Sequence, residues 1–140
     1  MEVLNNIQNA PTPIGPYSQA VKVGQLLFCS GQIAIDSKTG QLVPGGIEQQ
    51  TDQVLRNLAA VLLGAGSSPE KIVMTTIFLT EIDHGKVVNE KYKDFVSKLS
   101  PPARQTVAVK SLPAGAILEI SVIAEVSSSV GGQVNLNRPY

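Results

Sequence analysis

Pro101-Pro102-Ala103-Arg104 places a guanidinium directly after two prolines, where the stiff backbone holds the side chain to a narrow range of positions. A fixed fork of donors so placed suits bidentate recognition of a carboxylate or phosphate. The competing reading is an exposed strand-end arginine, the commonest fate of that residue. Further along, Glu119 interrupts the apolar or small run Ile117-Leu118-Glu119-Ile120-Ser121-Val122-Ile123-Ala124. A carboxylate in such a strand is costly unless paired or hydrogen-bonded. Strand alternation puts Glu119 with Ser121 on one face and Leu118, Ile120, Val122 and Ala124 on the other. If the last two strands pair as an antiparallel hairpin in an odd register, Arg104 and Glu119 share a face, as a site or as a structural ion pair. A slip of one residue separates them.

Other residues have both a chemical and a structural reading. Gly15-Pro16-Tyr17-Ser18-Gln19 ends in an aromatic held by a rigid lead-in, suited to closing a pocket or to packing on the surface. Ser30-Gly31-Gln32 follows an apolar strand, and its glycine permits close approach to a ligand or a bulge. Asn89 can offer an amide to a site or face solvent. His84 reads as a helix-start residue, because no Ser/Asp or Cys partner accompanies it at a recognisable spacing. Cys29 lies in an apolar strand without nearby cations and reads as a buried, inert thiol.

Whole-chain properties narrow the possibilities. At 140 residues the chain has room for one core, and 43% hydrophobic with 16% charged residues is globular. Eleven basic residues balance eleven acidic ones with no basic stripe, which argues against nucleic acid as the leading partner. With one cysteine and one histidine, a metal site would have to be built from carboxylates alone, and no metal is expected. The first residues show no basic region followed by an apolar stretch, and no apolar run reaches membrane-helix length, so a soluble, cytoplasmic protein with no membrane partner is expected.

The elements that must position these residues follow from periodicity. Pro11, Pro13 and Pro16 make Asn9 to Tyr17 an extended arm. Val21-Lys22-Val23 and Leu26-Leu27-Phe28-Cys29 flank Gly24-Gln25 as a hairpin. Ile47, Thr51, Val54, Leu55, Leu58, Val61 and Leu62 keep helical spacing up to Gly64-Ala65-Gly66. Ser67-Ser68-Pro69-Glu70 predicts one serine-capped helical turn before a strand over Ile72 to Leu79. Asp83 is expected to cap a second helix through Val87, Val88, Tyr92, Phe95 and Leu99, stopped by Pro101-Pro102. Strands Arg104 to Val109 and Ile117 to Val126 close the order. The result is a sheet with two helices on one side. Its other face also carries apolar residues, which self-association would cover. The domain is expected to span 1–126, with Ser127-Ser128-Ser129-Val130-Gly131-Gly132 opening a flexible tail over 127–140.

Gly15-Pro16-Tyr17-Ser18-Gln19-Ala20, Cys29-Ser30-Gly31-Gln32, Asn89 with Tyr92 and Phe95, Pro102-Ala103-Arg104 and Leu118-Glu119-Ile120 together resemble the RidA/YjgF reactive-intermediate deaminases, over about Ala10 to Val126. The resemblance implies an α+β, chorismate-mutase-like fold with a mixed sheet and two helices packed on one face. It further implies a homotrimer with sites between subunits. The implied reaction is cofactor-free hydrolysis of 2-imino acids, such as 2-iminobutanoate and 2-iminopropanoate, to 2-keto acids and ammonia. By the same resemblance Arg104 holds the substrate carboxylate and Glu119 orients or activates the attacking water. Tyr17 closes over the substrate, while Ser30, Gly31, Asn89 and the main chain near Thr106 line the pocket. Two residues depart from the pattern: Gln105, where the family usually has a small residue, and Thr106, where many bacterial members have cysteine. Alternatives from other classes are a non-catalytic keto-acid-binding or regulatory protein, and an endoribonuclease or translation inhibitor.

Overall fold

The computed structural model describes residues 1–126; the tail expected over 127–140 lies outside the described residues. Six strands form one sheet: β1 (Glu2–Leu4), β2 (Ala20–Val23), β3 (Leu26–Gln32), β4 (Ile72–Leu79), β5 (Ala103–Ala108) and β6 (Leu118–Glu125). Two helices, α1 (Ile47–Gly64) and α2 (Gly85–Tyr92), cross between strands. The spatial order is β1-β2-β3-β6-β4-β5, antiparallel except for the parallel pair of β4 and β5. The architecture is the α+β mixed sheet with two helices on one face.

Local chemistry explains most boundaries. Gly24, at φ +60, makes the β2–β3 hairpin turn that Gly24-Gln25 predicts. At the start of α1 the Gln49 side chain accepts the Gly46 amide at 2.9 Å. At its end Gly66 takes φ +83, and the amides of Gly66 and Ser67 reach back to Leu63 and Leu62. This Schellman arrangement stops the helix where the glycines predict. Between these caps, Val54, Leu58, Val61 and Leu62 are wholly buried against the sheet. Truncating Leu58 to alanine is expected to cost about 2–5 kcal/mol.

One strand is unforeseen and four expectations are corrected. The first strand, β1, pairs with β2 and has no periodic signal in three residues. Ser68 stands at the N-cap of the 3-10 turn Pro69–Lys71 without a side-chain cap bond. Asp83 does not cap α2: it lies within a 3-10 turn, Ile82–His84, and α2 grows directly out of that turn, leaving no open first turn to cap. The helix also ends at Tyr92, so Val96 is buried and Leu99 is 97% exposed. Beyond Tyr92 the amides of Phe95 and Val96 both turn back to its carbonyl, and the chain tightens before Pro101-Pro102.

The fourth correction concerns the last two strands, which do not pair. β4 stands between them, with Thr75 opposite Arg104 on one side and Val122 on the other. Thr75 and Val122 are buried beneath the helices, so this row, Arg104 included, points to the helix-covered face. Glu119 sits in the row of Phe78 and Val107, which points to the open face. That face also carries Val23, Leu26 and Phe28, each more than a third exposed.

Candidate active site

The Arg104 region is built where the sheet edge meets α2. Asn89 and Tyr92, three residues apart on α2, project toward β5 from one helix face. Arg104 Nη1 donates to Asn89 Oδ1 at 2.7 Å, and the guanidinium carbon lies 5.2 Å from the centre of the Tyr92 ring. The Tyr92 hydroxyl in turn donates to the wholly buried Thr75 Oγ1 at 2.8 Å. Burial pushes the Tyr92 hydroxyl pKa up, opposed by the Thr75 bond and the nearby Arg104 charge. The arginine is therefore held on two sides while the residue stays exposed. Among the described residues it meets no carboxylate within ion-pair distance.

Thr106 follows on the same strand face, opposite Ile77. Its hydroxyl oxygen is buried and has no hydrogen-bond partner among the described residues. Gln105 points the other way, donating to Thr76 Oγ1 at 3.1 Å, as strand alternation predicts. It therefore leaves the Arg104 side of the strand undisturbed.

The Glu119 region forms where β3 is irregular. Between Cys29 and Gln32 the strand advances three residues while its partner β6 advances two, from Val122 to Ile120. Ser30 and Gly31 thus share the place opposite Ser121, a β-bulge. The bulge brings the Gly31 main chain against Glu119: a carbon added to Gly31 would stand 2.9 Å from Glu119 Cδ. A side chain at residue 31 would displace the Glu119 carboxyl, so glycine here keeps it in place. Partial burial pushes the Glu119 carboxyl pKa up. Tyr17 and Gly31 line one cavity, and the Tyr17 hydroxyl accepts the Ile14 amide at 3.3 Å within the proline arm.

The structure sorts the expected residues into two groups. Arg104 and Asn89 come together on the β5–α2 side, with Thr106 on the same strand face. Tyr17, Gly31 and Glu119 come together at the bulge. Ser30 is adjacent, its hydroxyl donating to the Ser18 carbonyl. The shared face expected for Arg104 and Glu119 is overturned. Two strand spacings and three residues along put their Cα atoms roughly 14 Å apart, with side chains on opposite faces. His84 stands in the 3-10 turn before α2, and its Nδ1 is buried without a partner among the described residues. Cys29 is buried, which pushes its thiol up to about 12 and makes it inert.

Sequence reasoning missed Tyr92 and Thr75 as supports of Arg104, since a helix-spaced aromatic and a strand threonine read as core. It also missed two buried amides behind the bulge. Asn57 donates to the carbonyls of Ile33 and Ile35, and Gln19 donates to Pro11 O while its Oε1 accepts the Ile7 amide. A polar residue at a buried helical position was the available signal for Asn57.

A guanidinium held on two sides can clamp a carboxylate, and a carboxyl with a raised pKa can accept and return protons near a reacting carbon. The chain is similar to known proteins. The family model described as Endoribonuclease L-PSP matches residues 7–126. A RutC family protein of Saccharolobus solfataricus is 47% identical over 120 residues, covering 86% of this chain and 94% of its own. The 2-iminobutanoate/2-iminopropanoate deaminase of Mus musculus is 44% identical over 115 residues, covering 82% and 84%. The crystal structure of a Rid-family protein of unknown function from Yersinia pestis superposes with a TM-score of 0.84 at 51% identity, covering 88% of this chain and 98% of that one. By sequence match and by fold, the chain belongs to the Endoribonuclease L-PSP family, the group that includes the RidA, YjgF and RutC proteins.

Proposed function

We propose that the protein hydrolyses 2-imino acids to 2-keto acids and ammonia, without a cofactor, at sites formed between the subunits of a homotrimer. One observation carries the reading. Arg104 and Glu119 lack oppositely charged partners among the described residues, and they face away from each other within one chain. Setting the Arg104 edge of one copy against the Glu119 bulge of the next satisfies both and covers the open face bearing Leu26 and Phe28. The activity named for the mouse relative supports the chemistry.

In this reading Arg104, backed by Asn89 and Tyr92, grips the substrate carboxylate. The protonated imine carbon then lies over the neighbouring copy's Gly31. Glu119, as carboxylate, takes a proton from water as the water oxygen bonds to that carbon. The same proton passes to the amino group; as the carbon–nitrogen bond breaks, Glu119 takes up the hydroxyl proton and later releases it to solvent, leaving a ketone and ammonia. Thr106 lies on the carboxylate side and Tyr17 covers the pocket.

The test is keto-acid release from 2-iminopropanoate generated in situ by an amino-acid oxidase. Arg104→Ala and Glu119→Gln should each abolish most turnover. Refolded together in equal amounts, they should regain about one quarter of wild-type activity, because random assembly restores both halves at that share of sites. No regain in verified mixed oligomers would remove the intersubunit site. Keto-acid binding by a wild type that does not accelerate imine loss would instead favour the regulatory alternative. The balanced charge, eleven basic against eleven acidic residues, weighs against the RNA-cleaving alternative; RNA cleavage lost in Glu119→Gln would restore it.

A further inference from the structure

The 2-imino acid carries a third substituent besides its carboxylate and nitrogen, and the reading above leaves that substituent unplaced. Next to Gly31 the fold encloses a cavity of about 280 Å³. Its walls come from three separate segments: the proline arm, the chain following the bulge, and Ala114 in the turn before β6. Ala114 holds φ +57, a left-handed conformation unusual for a residue with a side chain, so the turn is constrained where it meets the cavity.

Three features define what this cavity accepts. Pro11, Pro13, Ile14, Ile33 and Ile35 supply apolar surface, joined by the Tyr17 ring. The buried Gln19 contributes little free polarity, since its side chain is engaged with Ile7 and Pro11. The acidic wall residue, Asp36, accepts the Lys38 amide at 2.8 Å, and no lysine or arginine lines the cavity among the described residues. A second carboxylate would enter an apolar space without a cation and beside an acid.

Gly31 joins this cavity to the chemistry. Its main chain forms part of the wall, while Glu119 packs against its α-carbon. A reacting carbon placed over Gly31 within reach of Glu119 therefore has the cavity as the space beside it. We infer that this cavity is the subsite for the imino acid's side chain, and that it selects branched or aromatic apolar side chains over methyl and over acidic ones. The inference rests on the imine-deaminase reading and adds a substrate class to it.

The walls are also braced. Asn57 Nδ2 holds the carbonyls of Ile33 and Ile35 at 3.1 and 2.9 Å, and Gln19 ties the arm at Pro11. A pocket pre-formed in this way discriminates by size.

The experiment compares kcat/KM of the full-length protein for imines generated from alanine, leucine and aspartate. Leucine-derived imine is expected to exceed alanine-derived imine by at least about tenfold, from three further buried carbons. The aspartate-derived imine should fall below both. Ile33→Trp, which fills the cavity, should lower the leucine-to-alanine ratio by at least about tenfold, and Thr12→Trp on the opposite wall provides an independent second variant. Equal rates for the alanine and leucine imines, a preference for the aspartate imine, or an unchanged ratio in folded variants would each overturn the subsite. Absence of activity on every imine would instead overturn the underlying reading.

Discussion

Arg104 and Glu119 project from opposite faces of one sheet, with β4 between their strands. Two groups that must act on one small molecule cannot do so from these positions in a single chain. In the proposed reaction this arrangement divides binding from proton transfer, and each half carries its own supports. Each half can therefore be perturbed alone.

Removing the guanidinium should weaken binding and orientation together. Arg104→Ala is expected to lower kcat/KM by roughly tenfold to a hundredfold, the equivalent of a charge-assisted contact. Arg104→Lys should recover part of the loss, since an ammonium keeps the charge without the planar fork and ring stacking. Steady-state keto-acid release measures both.

Tyr92 offers a finer separation. Tyr92→Phe keeps the ring under the guanidinium and removes the bond to Thr75, so thermal stability should fall with KM nearly unchanged. Tyr92→Leu removes the ring as well and should raise KM about two- to fivefold, the value of an exposed cation–π contact. Equal KM in the two variants would deny the ring its role.

On the other half, Gly31→Ala puts a methyl group 2.9 Å from Glu119 Cδ and 3.2 Å from Oε1. The far end of a glutamate can move aside, so the fold should survive with little change in melting temperature. The carboxylate should not remain in place, and kcat is expected to fall tenfold or more, since small misplacements are costly. A fall confined to KM would contradict this placement.

The protonation of Glu119 gives a prediction in pH. Burial raises its folded-state pKa above the unfolded value, so the folded state holds this proton more tightly. The resulting stabilisation is complete below the ordinary glutamate pKa, about 4.3, and is lost as pH rises through the folded value. Glu119→Gln should therefore melt at a higher temperature than wild type at neutral pH, with the advantage shrinking toward acid. If the carboxylate form takes the proton from water, as proposed, the acid limb of kcat/KM should lie above the ordinary glutamate value.

Much of this was legible in the sequence, for physical reasons that also mark the limits. The helical spacing from Ile47 to Leu62 and the glycines at 64 and 66 locate α1, because periodicity and capping act locally. Strand alternation separates Glu119 from Leu118 and Ile120, and Arg104 from Gln105. Strand partners are another matter. That β4 inserts between β5 and β6 depends on how α2 returns the chain across the sheet, which no local signal encodes. For the same reason Tyr92 read as core, although its ring also faces Arg104. The family resemblance is matched by the comparisons, while the expected subunit arrangement remains a prediction for solution measurements.

The bulge at Ser30 and Gly31 has a consequence for chain length. Because two residues of β3 share one place opposite β6, deleting one would straighten the ladder and restore ordinary alternation. The strand would still pair, and the core side chains Leu27 and Cys29 would stay in position. The Gly31 contact to Glu119 would disappear. A single-residue gap at this point should thus distinguish a scaffold from an enzyme among otherwise similar sequences, even where every proposed chemical side chain is retained.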